Sequence, residues 1–258
     1  MELRSREFWR AMLAELLGSL VFVSAVLGAS VPGPGETSTG PLYPALAAGM
    51  VAVALGHCFG EISGAQVNPA VTLSLLATRR LDLMRALVYV GAQCLGASLG
   101  AGALYFALPL KTTADCFVSR VPLEVNAAQA LGMELLSTFQ LVFTVFSVED
   151  HRRRENTEPG NLAIGFSLSA GVPNHSLSPS TPLPLPQVYW IGPVLGAVLA
   201  GVSHEFFFAP SASRQKLVAC LTCKDIEMVE ATSVSRSSLS TVTQTAMRAK
   251  QVNKQEQN

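Results

Sequence analysis

The chain has 258 residues, of which 49% are hydrophobic and 14% charged, against roughly a quarter charged in a typical soluble domain. Formal net charge is zero, so the overall balance gives no electrostatic reason to bind nucleic acid, and the long apolar runs exclude an ordinary soluble globule. No nucleophile–base pair, phosphate loop or metal-ligand cluster stands out, so no enzyme, cofactor or bound metal is expected.

Residues 1–10 read as a short N-terminus carrying Arg4, Arg6 and Arg10. The runs Ala11–Val31 and Tyr43–Phe59 are long enough, at 1.5 Å per helical residue, to cross a hydrocarbon core of about 30 Å. The first run is longer than a signal-peptide core and reads as a signal anchor. Residues 60–78 then break the pattern. Gly60 to Val67 reads as irregular backbone dipping into the membrane, which survives there only where it lines a wet cavity or is covered by protein. Asn68 caps a short helix with Pro69 in its first turn and Ala70–Ala77 as its body. The amino end of that helix and the Asn68 amide face the membrane centre, while the carbonyls of Gly64, Ala65, Gln66 and Val67 form a row of acceptors. Such groups guide neutral hydrogen-bonding molecules, and the helix dipole opposes cations.

Further spans are predicted at Leu83–Leu108, Ala127–Val148 and Val188–Ala209, whereas Asn161–Val172 is too short, reaching about 18 Å as a helix. Arginines 4, 6, 10, 79, 80, 85 and 152–154 fall on one side of these spans, which puts both termini in the cytoplasm. The crossings must then be even in number, and the short run has to count as one. Residues 173–187 hold five prolines in fifteen residues, a composition that favours extended backbone over helix. Residues 211–258 form a Ser/Thr-rich tail expected to be disordered, with Cys220 and Cys223 as free thiols or acylation sites. The sequon at Asn174 is most simply a chance match. The stripes Gly91/Gly96/Gly100 and Gly192/Gly196/Gly201 suit close helix packing.

The chain repeats itself. Glu15-Leu-Leu-Gly aligns with Glu134-Leu-Leu-Ser, Leu46-Ala-Ala-Gly49 with Leu162-Ala-Ile-Gly165, and Gln93-Cys-Leu-Gly96 with Pro193-Val-Leu-Gly196. Three spans per repeat make the halves inverted around a pseudo-two-fold axis in the membrane plane. The spacing from Gly49 to Gln93 is 44 positions, but from Gly165 to Pro193 only 28, so the second half is shorter by 16. The deficit falls where a partner to Asn68-Pro69-Ala70 is expected.

These residues resemble the aquaporins, or major intrinsic protein family, and within it the animal water-channel branch related to the lens protein. The resemblance rests on Ser63-Gly-Ala-Gln-Val-Asn-Pro-Ala-Val-Thr72, Phe8-Trp-Arg-Ala11, Gly165-Phe-Ser-Leu168 and Tyr189-Trp-Ile-Gly-Pro193, and spans about residues 2–172 and 187–210. It implies an all-α membrane fold of six spans over residues 11–210, with tetramers and a pore in each subunit. Asn68, Pro69 and Ala70 would form the pore motif, and the filter positions would fall at Ala48 and Val172. Glu15 and Glu134 would be buried carboxylates, each supporting one re-entrant loop. Family members normally carry a second Asn-Pro-Ala followed by Arg; here the motif occurs once. Glu134 would then lack its loop, and an unpaired carboxylate there has to be protonated or hydrated.

Two functions fit this pattern. One is passive transport of water or a small neutral solute across the bilayer, with Ala48 and Val172 widening the filter. The other is a non-conducting splice or gene-model variant that modulates or traps intact channel subunits. Either is expected as a multi-pass plasma-membrane protein, a homotetramer or hetero-oligomer with related channels, with retention in the endoplasmic reticulum if assembly fails.

Overall fold

A computed structural model describes residues 5–33, 39–108, 126–154, 160–171 and 186–209, and beyond them 212, 217, 218 and 220. The chain divides into two compact units, Met1–His204 and Glu205–Asn258; residues 217, 218 and 220 of the second have helical backbone. The rest of the expected disordered tail, Val172 and residues 173–185 of the proline-rich insert lie outside the described residues.

The described residues are all-helical. In chain order they form α1 (Arg6–Ser30), α2 (Leu42–Ser63), α3 (Pro69–Ala77), α4 (Leu83–Ala107), α5 (Ala127–Arg154), α6 (Gly160–Gly171) and α7 (Pro186–Ser203), followed by a π-helical turn at His204–Phe208. Five segments are long and apolar enough to span a bilayer: α1, α2, α4, the Ala127–Asp150 part of α5, and Val188–Phe208. As expected, α6 is short, at 12 residues.

Local chemistry sets the ends. The Ser5 hydroxyl accepts from the Phe8 amide at 3.1 Å, starting α1 five residues before the apolar run. Before α5, Asn126 and Gln129 exchange hydrogen bonds of 2.8 and 3.0 Å as a reciprocal capping box. Two boundaries correct the sequence reading. Gly60–Ser63 belongs to α2, because Gly64 takes the left-handed conformation (φ 89°) and its amide closes the helix onto Gly60 O at 3.0 Å; the irregular stretch is only residues 64–68. Pro186 and Gln187 belong to α7, where a proline in the first turn forfeits no helical hydrogen bond.

Packing repeats as the sequence does. α1 packs on α2 and α4, α5 packs on α6 and α7, and α2 meets α6 between the two sets. A Cβ added at Gly96 would run into the Leu16 carbonyl, and one at Gly196 into the Leu135 carbonyl. Leu16 and Leu135 each follow a repeat-marker glutamate, so the two seams share one register. Where α2 meets α6, a Cβ at Gly49 would collide with Gly165 and one at Gly165 with Gly49. Gly91, by contrast, has open space around it, so only part of the expected stripe serves packing. Apolar burial drives helices together weakly in hydrocarbon, which leaves close backbone contact and polar links to hold the set. α3 lies against α4, α5 and α7, burying Ala70, Val71 and Leu75 with Val142, Phe146, Ala197 and Ala200. No described element mirrors it.

Gly96→Val should therefore wedge α1 from α4 and cost about 1–3 kcal/mol, read as a lowered midpoint in thermal unfolding of the detergent-solubilised protein. Gly28→Ala, with nothing within 4 Å, should leave the midpoint unchanged or slightly raised.

Candidate functional site

The site is built around a carboxylate on α1. Glu15 is fully buried, and each of its oxygens accepts two hydrogen bonds. Oε1 takes Ser63 Oγ at 2.6 Å and the Gln66 amide at 2.9 Å; Oε2 takes the Val67 amide at 2.7 Å and Gln93 Nε2 at 2.8 Å. The donors come from the end of α2, the 64–68 loop and α4, so one side chain ties three segments to α1. Loop backbone that crosses hydrocarbon must satisfy its N–H groups internally, and Glu15 does so for two consecutive amides. The Ala65 amide donates to Ser63 Oγ at 3.1 Å.

These bonds hold an unfavourable backbone. Ala65 and Val67 have positive φ of 47° and 48°, which costs on the order of 1–3 kcal/mol per non-glycine residue and most for a β-branched one. A side-chain chain extends the restraint: Gln93 Nε2 also donates to Thr72 Oγ1 at 2.9 Å, and Thr72 Oγ1 donates to Gln66 Oε1 at 2.7 Å. Gln93 and Thr72 are 1% and 0% exposed. Gln93 entered the sequence reading only as a repeat marker, although an uncharged polar residue ten positions into an apolar run already asks for a buried partner.

Asn68 caps α3 as expected. Its Oδ1 accepts from the Ala70 amide at 2.9 Å, which assigns the other carboxamide atom as the NH2 group. The far end of α3 is latched by Arg80, whose guanidinium meets Asp150 at 2.9 Å and Glu149 at 3.4 Å and lies 4.7 Å above the Phe146 ring. In the sequence Arg80 marks only the side of the membrane; its role as a latch depends on a contact 70 positions away.

Two cavities border this assembly. The smaller, about 90 Å³, is lined by Gly64, Ala65, Gln66 and Val67 together with Gly56, Glu149 and Asn161. The larger, about 360 Å³, is lined by Pro69, Ala70, Glu134, Ser137, Thr138, Tyr189 and Trp190. Asn68, Leu141 and Leu168 border both. Seven of the expected pore residues, 64–70, thus stand together. Ala48 does not join them: it is 2% exposed and lines neither cavity. Glu134 is half-buried at the edge of the larger cavity, and among the described residues no group donates to its carboxylate, in contrast to Glu15.

Glu15→Gln would keep the shape but turn one acceptor oxygen into an NH2 facing donors. Because uncompensated buried donors each cost about 1–3 kcal/mol, the substitution should lower stability by about 2–4 kcal/mol, measured by thermal unfolding, with Glu7→Gln at the surface as a neutral control.

Comparison with known proteins places the whole chain. Residues 2–177 match the family described as major intrinsic protein. The chain is 36% identical to aquaporin-4 of Homo sapiens over 224 residues, covering 80% of this chain and 69% of that one. It is 38% identical to lens fiber major intrinsic protein of Gallus gallus over 229 residues, covering 82% and 86%. In fold it is similar to the aquaglyceroporin of Plasmodium falciparum, with a TM-score of 0.63 at 20% identity over 79% of this chain and 98% of that one. A buried glutamate clamping the Asn-Pro-Ala loop, six helices in two matching sets with α3 unmatched beside them, and the shared sequence lead to one statement: this chain belongs to the major intrinsic protein family, the aquaporins.

Proposed function

We propose that the chain forms a passive membrane pore for water or small neutral solutes, running past Asn68. The observation that carries this reading is that Asn68, with Leu141 and Leu168, lines both cavities. Asn68 borders both cavities and the positive amino end of α3 begins beside it, a combination that favours a neutral molecule with an acceptor atom and disfavours a cation. Residues 64–67 line the smaller cavity, and the amides of Ala65, Gln66 and Val67 are taken up by Ser63 and Glu15, so their carbonyls are the acceptors assigned to a passing solute. The filter position that the alignment puts at Val172 is smaller and less polar than the family's usual residue, so solutes of glycerol size are included; Ala48, the other aligned filter position, lines neither cavity and is left out of this assignment. The protein would sit in the plasma membrane with both termini cytoplasmic, as a homotetramer or mixed with related channels.

A second reading has its own support. The sequence holds one Asn-Pro-Ala, and Glu134, the repeat partner of Glu15, borders the larger cavity without a donor among the described residues. A chain with half of the pore device would be a non-conducting subunit that modulates or traps intact relatives, retained in the endoplasmic reticulum where assembly fails.

Stopped-flow light scattering decides between them. Vesicles containing the purified chain should respond to an osmotic step faster than protein-free vesicles, with an activation energy below that of the bare bilayer. Equal rates at verified protein incorporation would reject the pore, and slowed permeation when the chain is mixed with an intact relative would support the second reading.

A further inference from the structure

The larger cavity has an acidic side chain in its wall. Among the described residues that line it, Glu134 is the single charged side chain. Its position is imposed by packing: a Cβ at Gly192 would lie 2.8 Å from Glu134 Cβ, so α7 presses directly on the base of this side chain. The cavity at about 360 Å³ exceeds by several-fold the roughly 30 Å³ share of one water, so the carboxylate has room for hydration or for a ligand.

The surroundings specify what kind. A carboxylate offers about four acceptor sites, and at Glu15 the equivalent sites are all filled by N–H and O–H donors. Tyr189 and Trp190 line the same cavity, and the Tyr189 hydroxyl is buried without a hydrogen-bond partner among the described residues. Aromatic rings beside an anion suit an organic cation. A hard divalent ion needs six or more oxygen ligands, and the described lining side chains offer one carboxylate, the Ser137 and Thr138 hydroxyls, a phenol and the Asn68 carboxamide oxygen, which already accepts from the Ala70 amide. At the Asn68 end the dipole of α3 has its positive pole, so a cation is attracted to the Glu134 end and repelled from the junction with the smaller cavity.

We infer that the larger cavity is a binding site for a small organic ammonium ion, held by the Glu134 carboxylate beside Tyr189 and Trp190 and barred from passage by the amino end of α3. Occupancy would obstruct the route past Asn68 for neutral solutes.

The chain has two tryptophans, Trp9 and Trp190, so Trp9→Phe leaves a single reporter in the cavity. The full chain carrying Trp9→Phe, in detergent, is titrated with methylammonium chloride against sodium chloride at matched ionic strength. Trp190 emission should change saturably with methylammonium and not with sodium. Glu134→Gln in the same background should weaken the midpoint by about tenfold or more, the scale of losing one charge-assisted pair. Ser137→Arg, which places a cation in the cavity, should abolish the response. No saturable change beyond the sodium control, or a midpoint unaltered by either substitution, would overturn the proposal. Fluorescence reports binding whether or not the chain conducts, so a failed permeability assay leaves this result interpretable.

Discussion

The four hydrogen bonds to Glu15 are the constraint on which the rest depends. A carboxylate removed from water costs several kcal/mol unless it is fully paired, and the 64–68 loop is equally untenable in hydrocarbon unless its amides find acceptors. Each solves the other's problem. Charge-assisted bonds of about 1.5–3 kcal/mol apiece outweigh the strain of two left-handed residues at 65 and 67. With the loop fixed, α3 starts at Pro69, and Asn68 is set in the wall that borders both cavities. Arg80 completes the restraint at the other end of α3 through Asp150 and Glu149.

The same fold contains the experiment with that constraint removed. Glu134 occupies the matching place in the second half: the glycine seam one residue on is conserved in register, with Gly196 on Leu135 as Gly96 is on Leu16. Helix packing therefore does not require the loop clamp, since the α5–α7 seam closes as tightly as α1–α4. The asymmetry appears in the polar layer. Glu15 is sealed by Ser63, Gln66, Val67 and Gln93, whereas Glu134 opens on a cavity, and the residue that corresponds to Gln93 is Pro193, which has no side-chain donor. The two halves share a scaffold and differ in their polar layer, and Glu134, the single ionisable acid among the described residues that line the larger cavity, follows from that difference.

Much of this was legible from residue order. Span positions followed from apolar run length, because hydrocarbon thickness leaves few alternatives. The α3 start followed from Asn68-Pro69, because a cap followed by proline has one favourable use. The repeat located the glycine seams through Gly96 and Gly196. Other features needed three-dimensional contacts. That α2 runs on through Gly60 to the left-handed cap at Gly64 brings the Ser63 hydroxyl to Glu15, a pairing across 48 positions. Gln93, Thr72 and Arg80 act through partners that no local pattern announces. Ala48, assigned to the filter by counting back from Asn68, lies buried away from both cavities, since equal spacing along a helix does not guarantee that a small side chain reaches the open space.

Residue-resolved hydrogen exchange at Gln66 and Val67, in the intact chain and in Glu15→Gln, tests the central claim most directly. If Glu15 holds the loop, these two amides exchange slowly in the intact chain and speed up by at least about a hundredfold with the substitution, corresponding to roughly 2.7 kcal/mol of lost local stability, while amides in the middle of α1 keep their protection. Unchanged protection at both amides in a folded Glu15→Gln chain would contradict the account.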